Sequence, residues 1–443
     1  MNFIKKIFND GLLKKLLKNA SVLLSGNIVS QVIGMITLVF STRLLGPELF
    51  GVLVVIQTYI LIVDSIVNFQ SWQALIKFGV EALEKTDQEK FKGYIKFGTI
   101  LDVSTAIIAT LIAIVSIQFV GPLVLGLNSE QTLMASVYSL TILFHLSGTP
   151  TAVLRIYNKF KMFAYQQVIS ALIRLIGIII ATLIGADLWA VLMVWMLSEV
   201  VGHIILLVLG HLVLHTKDIR KWWSSPIVNG KEIFKFTCWT NLTSMLDVPV
   251  KQLDIIMVST VISFEAVSIY KVFKQVSNVI GKVADPIFQA IYPQLVQLIT
   301  AKKYKRSLKF SLKSGFIISA ILTPIIIIIV SLSPIWLDIL FGELYASAWH
   351  ILAIYLTLRL LSVAFICIHP LFIAMGLVKK NVLILFFTNL IYIGAALLLG
   401  AVYGLLGIVL AYGIQFLSVV IWKLYYIFKD IQEKNNYVFE HLK

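Results

Sequence analysis

The sequence predicts an all-α polytopic membrane protein with about twelve transmembrane helices. Of its 443 residues, 59% are hydrophobic and only 13% are charged, and the mean hydropathy is +0.93. Soluble domains average about 45–50% apolar and about 25% charged residues. Apolar stretches recur along the whole chain, and each is about as long as the roughly 20 residues that a helix needs to cross a bilayer.

Short polar or basic loops separate these stretches into twelve predicted spans. The spans of the N-terminal half are about 20–44, 49–77, 97–121, 131–154, 163–185 and 188–214. Those of the C-terminal half are about 236–262, 266–298, 314–335, 348–375, 380–400 and 405–428. The predicted organisation is an amphipathic segment (1–18), a six-helix lobe (19–215), an inter-lobe loop (216–235), a second six-helix lobe (236–428) and a tail (429–443).

Every second loop is rich in Lys and Arg, most densely over 217–235 and 302–313. The positive-inside rule therefore predicts that both termini, the amphipathic segment and the inter-lobe loop lie in the cytoplasm. The net charge of +15 does not indicate nucleic-acid binding, because the basic residues lie in short loops between spans. Cys238 and Cys367 fall in apolar segments without metal-ligand spacing, so neither a disulfide framework nor a metal site is predicted.

Charged residues occur within spans seven and eight. Asp247, Lys251 and Asp254 are spaced i, i+4 and i+7, which on a helix places them on one face. A second stripe follows in span eight, at Lys271, Lys274, Asn278, Lys282, Asp285 and Gln289. A charge at the bilayer centre costs at least about 2.5–3.5 kcal/mol, so these faces must meet each other or a wet cavity. Internal ion pairs are one interpretation. A cavity is favoured, because Lys271 and Lys274 have no acidic residue near them in the stripe.

Further polar residues lie within spans of both halves. Asn27 and Gln31 are one helical turn apart in span one, and so are Asp64 and Asn68 in span two. Arg43 is predicted either in a site or at the interface with its charge turned to water. Arg174 and Arg359 lie deeper, and Glu199 is a possible partner for either. For His145, His203, His350 and His369 a role in helix packing is predicted.

The two halves carry signs of an internal repeat. Glu48 and Glu265 are 217 residues apart, each at the start of the second span of its half. Pro150 and Pro370 are 220 residues apart, near the ends of spans four and ten. Repeats of six spans have the same orientation in the membrane, which predicts a pseudo-two-fold axis along the membrane normal.

Several of these stretches carry a family resemblance. The segments LSGNIVSQVIGMITLVFSTRLLGPELFGVL (24–53) and VSIYKVFKQVSNVIGKVADPIFQAIYPQL (267–295) resemble the polysaccharide flippases. These form the oligosaccharide branch of the multidrug/oligosaccharidyl-lipid/polysaccharide exporter superfamily and include the Wzx-type O-antigen flippases. The resemblance implies two six-helix lobes around a central cavity lined by the first two helices of each. It also implies alternating-access transport of an undecaprenyl-pyrophosphate-linked oligosaccharide from the cytoplasmic to the outer leaflet of the bacterial inner membrane.

A site for such a substrate needs cations for the pyrophosphate and amides for the glycan hydroxyls. The candidate substrate-binding cations are Lys251, Lys271, Lys274, Lys282, Arg43, Arg174 and Arg359. The candidate cavity amides are Asn27, Gln31, Asn68 and Asn278. The carboxylates proposed for ion coupling are Asp64, Asp247, Asp254 and Asp285. The expected partners are the lipid-linked oligosaccharide, membrane lipids and a polymerase of the same pathway, and no cofactor is expected.

Two other functions remain open. The chain has no phosphate-binding Walker motif, which argues against ATP hydrolysis within it. A lipid-linked glycosyltransferase or polymerase is disfavoured because no large outer loop is predicted. A cation-coupled multidrug exporter of the same superfamily would favour an acidic, aromatic cavity, whereas the deep residues here are net basic. The polymer served, O-antigen of lipopolysaccharide or another surface polysaccharide, is not defined by the sequence.

Overall fold

The computed structural model describes residues 11–69 and 71–440, without the side chains of 11–24, 243, 282–290, 293 and 434–440. Over that part of the chain every regular element is helical, which confirms the all-α prediction. The chain divides into two compact units, Met1–Val248 and Pro249–Lys443. The division falls inside the predicted seventh span.

Over its described residues, the first unit contains nine α-helices. They are α1 Gly11–Val67, α2 Trp72–Glu84, α3 Gln88–Val120, α4 Ser129–Tyr138, α5 Thr141–Phe144, α6 Gly148–Ile156, α7 Phe160–Leu183, α8 Leu188–Thr216 and α9 Gly230–Met245. A helix of 57 residues such as α1 would be about 85 Å long if straight, far more than the roughly 30 Å bilayer core. It is kinked at Gly46, whose φ of 73° favours glycine, and Pro47 starts the second arm. The kink separates the two arms between the predicted first and second spans.

Two predicted spans of this unit are interrupted. The second span was predicted to continue to residue 77, but α1 ends at Val67 and α2 starts at Trp72. The fourth span consists of the three short helices α4, α5 and α6. Pro150 accounts for the second of its breaks, because a proline ring clashes with the carbonyl four residues earlier and so opposes a helix through Leu146. The backbone groups released at these breaks need other hydrogen-bond partners.

The second unit starts with a π turn, Pro249–Leu253. Its α-helices are α10 Asp254–Val261, α11 Phe264–Thr300, α12 Tyr304–Ser331, α13 Ser333–Phe341, α14 Glu343–Ser347, α15 Trp349–Ala364, α16 Ile368–Ala374, α17 Val378–Tyr403 and α18 Leu405–Glu440. A cluster of buried apolar side chains that includes Leu295, Leu371 and Ile427 joins α11, α16 and α18 at one end of the unit.

The seventh span was predicted as one helix over 236–262, and this is wrong. α9 ends at Met245, and the chain passes through the π turn before α10 starts at Asp254. Pro249 has no amide hydrogen, and its ring clashes with the carbonyl of Met245, so an α-helix cannot pass through it undisturbed. The expectation that Asp247, Lys251 and Asp254 share one α-helical face therefore fails. Asp254 is buried, whereas Lys251 is exposed.

Nine helical stretches of the described residues are long and apolar enough to cross a membrane. One of them, Ser25–Glu84, contains both arms of α1. The stretch from residue 230 to residue 300 is not among the nine, because α9 and α10 are short and α11 carries the polar stripe. Large apolar side chains lie open on the surface, such as Leu183 at 81% and Leu398 at 73% exposed. Such a surface fits a lipid solvent, and the chain is a multi-pass membrane protein.

The predicted terminal segments are only partly described. Residues 1–10 of the amphipathic segment and 441–443 of the tail lie outside the described residues. Gly11 begins the same helix that forms the first span, and α18 continues from the last span into the predicted tail. The cytoplasmic placement of both ends stays a prediction.

Candidate functional site

The interrupted second and fourth spans meet at a buried polar cluster in the first unit. The Nδ2 atom of Asn68 donates to Oδ1 of Asp64 at 3.0 Å and to the carbonyl oxygen of His145 at 3.1 Å. Nδ1 of His145 lies 2.5 Å from Oδ2 of Asp64. Asp64 and Asn68 are 6% and 7% exposed. Asn68 thus satisfies a carbonyl left open after α5, and a carboxylate and an imidazole share a hydrogen bond inside the bundle.

His203 of α8 extends this cluster. Its ring centroid lies 4.4 Å from that of His145. The predicted helix-packing role of His145 stays a prediction, and its ring also binds the carboxylate of Asp64 on another span. The available signal was the position of a titratable side chain inside an apolar span, where such residues are costly and often functional.

A second carboxylate, that of Asp102 on α3, binds the start of α6, on the other side of the break between α5 and α6. Its Oδ2 atom accepts hydrogen bonds from the backbone amide and the hydroxyl of Thr149, both at 2.7 Å. Thr149 is the second residue of α6, so Asp102 binds an amide that the start of a helix leaves open. The hydroxyl of Thr105, also on α3, lies 3.0 Å from Oδ1 of Asn68, which brings α3 into contact with the Asp64 cluster. Sequence reasoning missed Asp102, which stands alone in span three.

Arg174 of α7 is held by α8. Its Nε donates to the Ser198 hydroxyl at 2.9 Å, and Nη2 lies 3.4 Å from Oε1 of Glu199. The guanidinium also lies over the Trp195 ring, 4.3 Å from the centroid. The alternative of a pair between Arg174 and Glu199 is thereby confirmed.

The remaining predicted residues of the first unit lie in the first arm of α1. Asn27 and Gln31 are half-buried, and Arg43 is exposed. Gly26, next to Asn27, packs closely against Ala164 of α7. Their assignment as substrate ligands stays a prediction.

The second unit holds a buried ion pair between α10 and α11. Nζ of Lys274 lies 2.7 Å from Oδ1 and 2.5 Å from Oδ2 of Asp254, and it donates to the Lys251 carbonyl at 2.7 Å. The Tyr270 hydroxyl donates to Oδ2 at 2.8 Å. The side chains of Asp254 and Lys274 are 2% and 14% exposed. The expectation that Lys274 lacks an acidic partner is wrong, because the chain folds back through the turn before α11 and brings it to Asp254.

A row of aromatic rings leads from this pair to Arg359 of α15. Tyr270 stacks on Tyr355 with centroids 5.9 Å apart, and Tyr355 meets the edge of Tyr412 at 5.5 Å. The Tyr412 hydroxyl accepts from Nη1 of Arg359 at 3.2 Å. The guanidinium packs against α11 at Gly281, where a Cβ atom would overlap it. Two predicted site residues, Asp254 and Arg359, are thus connected within one unit.

The other residues predicted for this site differ in how far they are buried. Lys271 is half-buried one helical turn before Lys274, and Lys251 is exposed. Asp247, the last residue but one of the first unit, is half-buried, and Asn278 is exposed on α11. The side chains of Lys282 and Asp285 lie outside the described residues.

Each unit therefore places a buried carboxylate beside a nitrogen base where a helix is interrupted or starts. Polar groups at such breaks can exchange partners as helices shift, and ionisable residues inside membranes commonly mark ion or substrate pathways.

Comparison with known proteins then places the chain in a family. The sequence profile of the family described as polysaccharide biosynthesis protein matches residues 16–299. The chain belongs to this family. A relative from Escherichia coli (strain K12), inner membrane protein YghQ, is 24% identical over 355 residues, which cover 79% of this chain and 99% of that protein.

Solved structures share the fold of this protein. One is titled lipid II flippase MurJ in an inward closed conformation, with TM-score 0.71, 16% identity, and coverage of 93% of this chain and 89% of that one. Another is an inward-facing multidrug resistance MATE family transporter of the MOP superfamily, with TM-score 0.70, 13% identity, and coverage of 94% and 99%. The two-lobe transporter fold predicted from the sequence is confirmed.

Proposed function

We propose that this protein is a flippase for lipid-linked oligosaccharides. It carries repeat units on undecaprenyl pyrophosphate from the cytoplasmic to the outer leaflet of the bacterial inner membrane, by alternating access, for O-antigen or another surface polysaccharide. The observation that carries the proposal is the family match over residues 16–299, which ties this transporter fold to polysaccharide biosynthesis. The inner-membrane location is supported by the name of the Escherichia coli relative.

The charges buried in the helices fit an anionic, hydroxyl-rich cargo. Lys271 and Lys274 lie one helical turn apart on α11, and Nζ of Lys274 binds the backbone carbonyl of Lys251. We assign Lys251 and Lys271, together with Lys282, to the pyrophosphate. Lys274 in this conformation is neutralised by Asp254, so its role is to hold α10 against α11 until substrate competes for it. A phosphate oxygen is a suitable competitor, since it binds ammonium groups by the same charge-assisted hydrogen bonds.

Ion coupling is assigned to the first unit. The hydrogen bond between Asp64 and His145 joins a carboxylate to an imidazole, two groups that exchange a proton or admit a cation with little movement. Its position at the break of span four lets a change in charge alter the contact between α1 and the segment that follows α5. We propose that this pair, with His203 beside it, responds to an ion gradient.

The alternative is a cation-coupled drug exporter, since one structure with the same fold is titled a multidrug resistance MATE family transporter. Both functions predict a buried carboxylate, so the fold does not separate them. The direct test reconstitutes the purified full chain in liposomes that carry a fluorescent polyprenyl-pyrophosphate oligosaccharide. A membrane-impermeant quencher then measures how much of the label reaches the outer leaflet.

We expect this protein to expose the inner-leaflet label, and the Asp64→Asn variant to do so at least about tenfold more slowly. Glu81→Gln, at a solvent-exposed carboxylate of α2, is the matched control and should transport normally. Uptake of a lipophilic cationic dye by the same liposomes, without lipid translocation, would replace the flippase proposal with the exporter.

A further inference from the structure

A groove with six cations opens at one end of the second unit. It lies between the start of α12 and the last turns of α18 and has a volume of about 1170 Å³. Its cations are Lys302, Lys303, Lys305, Arg306, Lys309 and Lys313. All six are exposed, and the described residues that line the groove include no carboxylate. This groove starts after the C-terminal end of α11, 28 residues beyond Lys274, and has no part in the function proposed above.

The local backbone concentrates this charge. Lys302 has φ 56° in the turn that closes α11, and its amide hydrogen-bonds to the Ile299 carbonyl. The chain turns at once into α12, where Arg306, Lys309 and Lys313 follow at spacings of three and four residues and so share one face. Like charges at these spacings destabilise a helix slightly, and anions nearby would offset that repulsion.

The opposite wall, on α18, is mainly apolar and also includes Gln432. Phe428 of α18 is 52% exposed and lines the groove beside Ile431, which is buried. Leu308 and Leu312 of α12 form the floor between the cations. The groove therefore combines cations for an anionic headgroup with an apolar surface for an acyl chain, at the ends of two helices that cross the membrane.

We propose that this groove binds anionic phospholipids of the surrounding bilayer. Clusters of four to eight Lys and Arg next to a membrane helix bind anionic lipids, at about 1 kcal/mol for each basic residue. The distribution of charge favours phospholipids over a polyprenyl pyrophosphate. Arg306 and Lys313 are about 10 Å apart along α12, whereas the two phosphorus atoms of a pyrophosphate share a single bridging oxygen. Two or more separate phosphates, from neighbouring lipids or from one diphosphatidyl lipid, match a row of this length.

Native mass spectrometry of the purified full chain in neutral detergent tests this proposal. The chain is titrated with phosphatidylglycerol, diphosphatidylglycerol, phosphatidylcholine or polyprenyl pyrophosphate. The two anionic phospholipids should bind with at least about tenfold higher affinity than phosphatidylcholine. In the Lys302→Gln, Arg306→Gln, Lys309→Gln, Lys313→Gln variant this preference should fall at least about tenfold. Phe428→Ala should weaken binding of the phospholipids with all cations retained.

The control removes the same charge elsewhere, by replacing the exposed Lys217, Lys221, Lys231 and Lys235 with Gln. It should change binding less than about twofold, and equal loss in both quadruple variants would reduce the effect to net charge and overturn the proposal. If the groove variant fails to fold, the Lys302→Arg, Lys309→Arg, Lys313→Arg variant is used to test the proposal. It retains all charges and must retain the lipid preference. Selective displacement of phospholipid by one polyprenyl pyrophosphate per chain would instead identify a substrate entry site.

Discussion

Nζ of Lys274 lies 2.5 Å from Oδ2 of Asp254, in a pair that closes the gap between α10 and α11. Both groups belong to an apolar helix bundle, and Tyr270 completes the hydrogen bonding of the carboxylate. The pair joins two residues that the sequence assigned to different tasks, one to the substrate and one to a coupling ion.

Replacing only Lys274 or only Asp254 should therefore lower thermal stability more than replacing both. Lys274→Met or Asp254→Asn leaves a buried group unpaired, which costs about 3–5 kcal/mol. The double variant should recover thermal stability in detergent but not transport. Lys85→Met breaks a solvent-exposed pair with Glu81 and should cost at most about 1 kcal/mol. Transport by the double variant at the normal rate would show that the pair is only structural.

Variants of the Asp64 cluster can distinguish the effect of its charge on transport from the effect of its packing on stability. Asp64→Asn keeps one oxygen that can accept from Asn68, and its amide nitrogen can donate to Nδ1 of a neutral His145, so the protein should fold and lose transport. Asn68→Ala leaves the carbonyl of His145 without this donor and should lower stability by about 1–3 kcal/mol. Melting curves and the liposome assay on the same preparations distinguish these effects. Normal transport by Asp64→Asn would remove this pair from the coupling mechanism.

Gly281 sets the position of Arg359. Gly281→Ala should displace the guanidinium from α11 and from Tyr412, because the added Cβ would overlap it. Lower thermal stability and slower transport are expected, with partial recovery when Arg359→Lys is added, since an ammonium group is narrower. Gly394→Ala is the matched control in the same unit, because a Cβ there meets no atom within 4 Å. It should be neutral or stabilising by up to about 1 kcal/mol.

Two buried threonines of the first unit make different hydrogen bonds. Thr149 donates to the carboxylate of Asp102, whereas Thr110 donates at 2.8 Å to the Ala106 carbonyl of its own helix. Thr149→Val should cost about 1.5–3 kcal/mol, the range for a bond to a charged group. Thr110→Val should cost less than about 0.5 kcal/mol, since that bond adds little to a helix. Equal losses in thermal melting would contradict the assignment of Asp102 as the group that binds the start of α6.

The predicted topology can be measured independently of transport. With Cys238 and Cys367 replaced by Ala, single cysteines within 217–235 and 302–313 should react only after the cytoplasmic side is opened, because these are the most basic loops. A cysteine at Asn128 or Ala186 should react from outside intact cells. Labelling of either basic loop in intact cells would refute the orientation.

Hydropathy and loop charge defined the helical fold, because the bilayer requires long apolar helices. They did not reveal the interruptions near Asn68, His145 and Pro249, since an average over some twenty residues conceals a local break. Pro249 was a visible signal against a continuous seventh span. The contact of Lys274 with Asp254 was not predictable from spacing. It joins residues 20 positions apart through a reversal of the chain, whereas helical periodicity relates only residues within a few turns.

The single non-helical residue within α1 constrains how this protein can move. Only Gly46 separates the two arms, and no flexible loop connects them. One arm therefore cannot slide along its axis relative to the other. Gly46 has no Cβ atom, so rotation about its torsion angles is the least restricted motion between the two arms. Each arm therefore moves as a rigid helix about a hinge at Gly46. A displacement of one arm at the hinge also moves the other arm. A spectroscopic ruler between probes on the two arms would then record changes of angle rather than of axial offset.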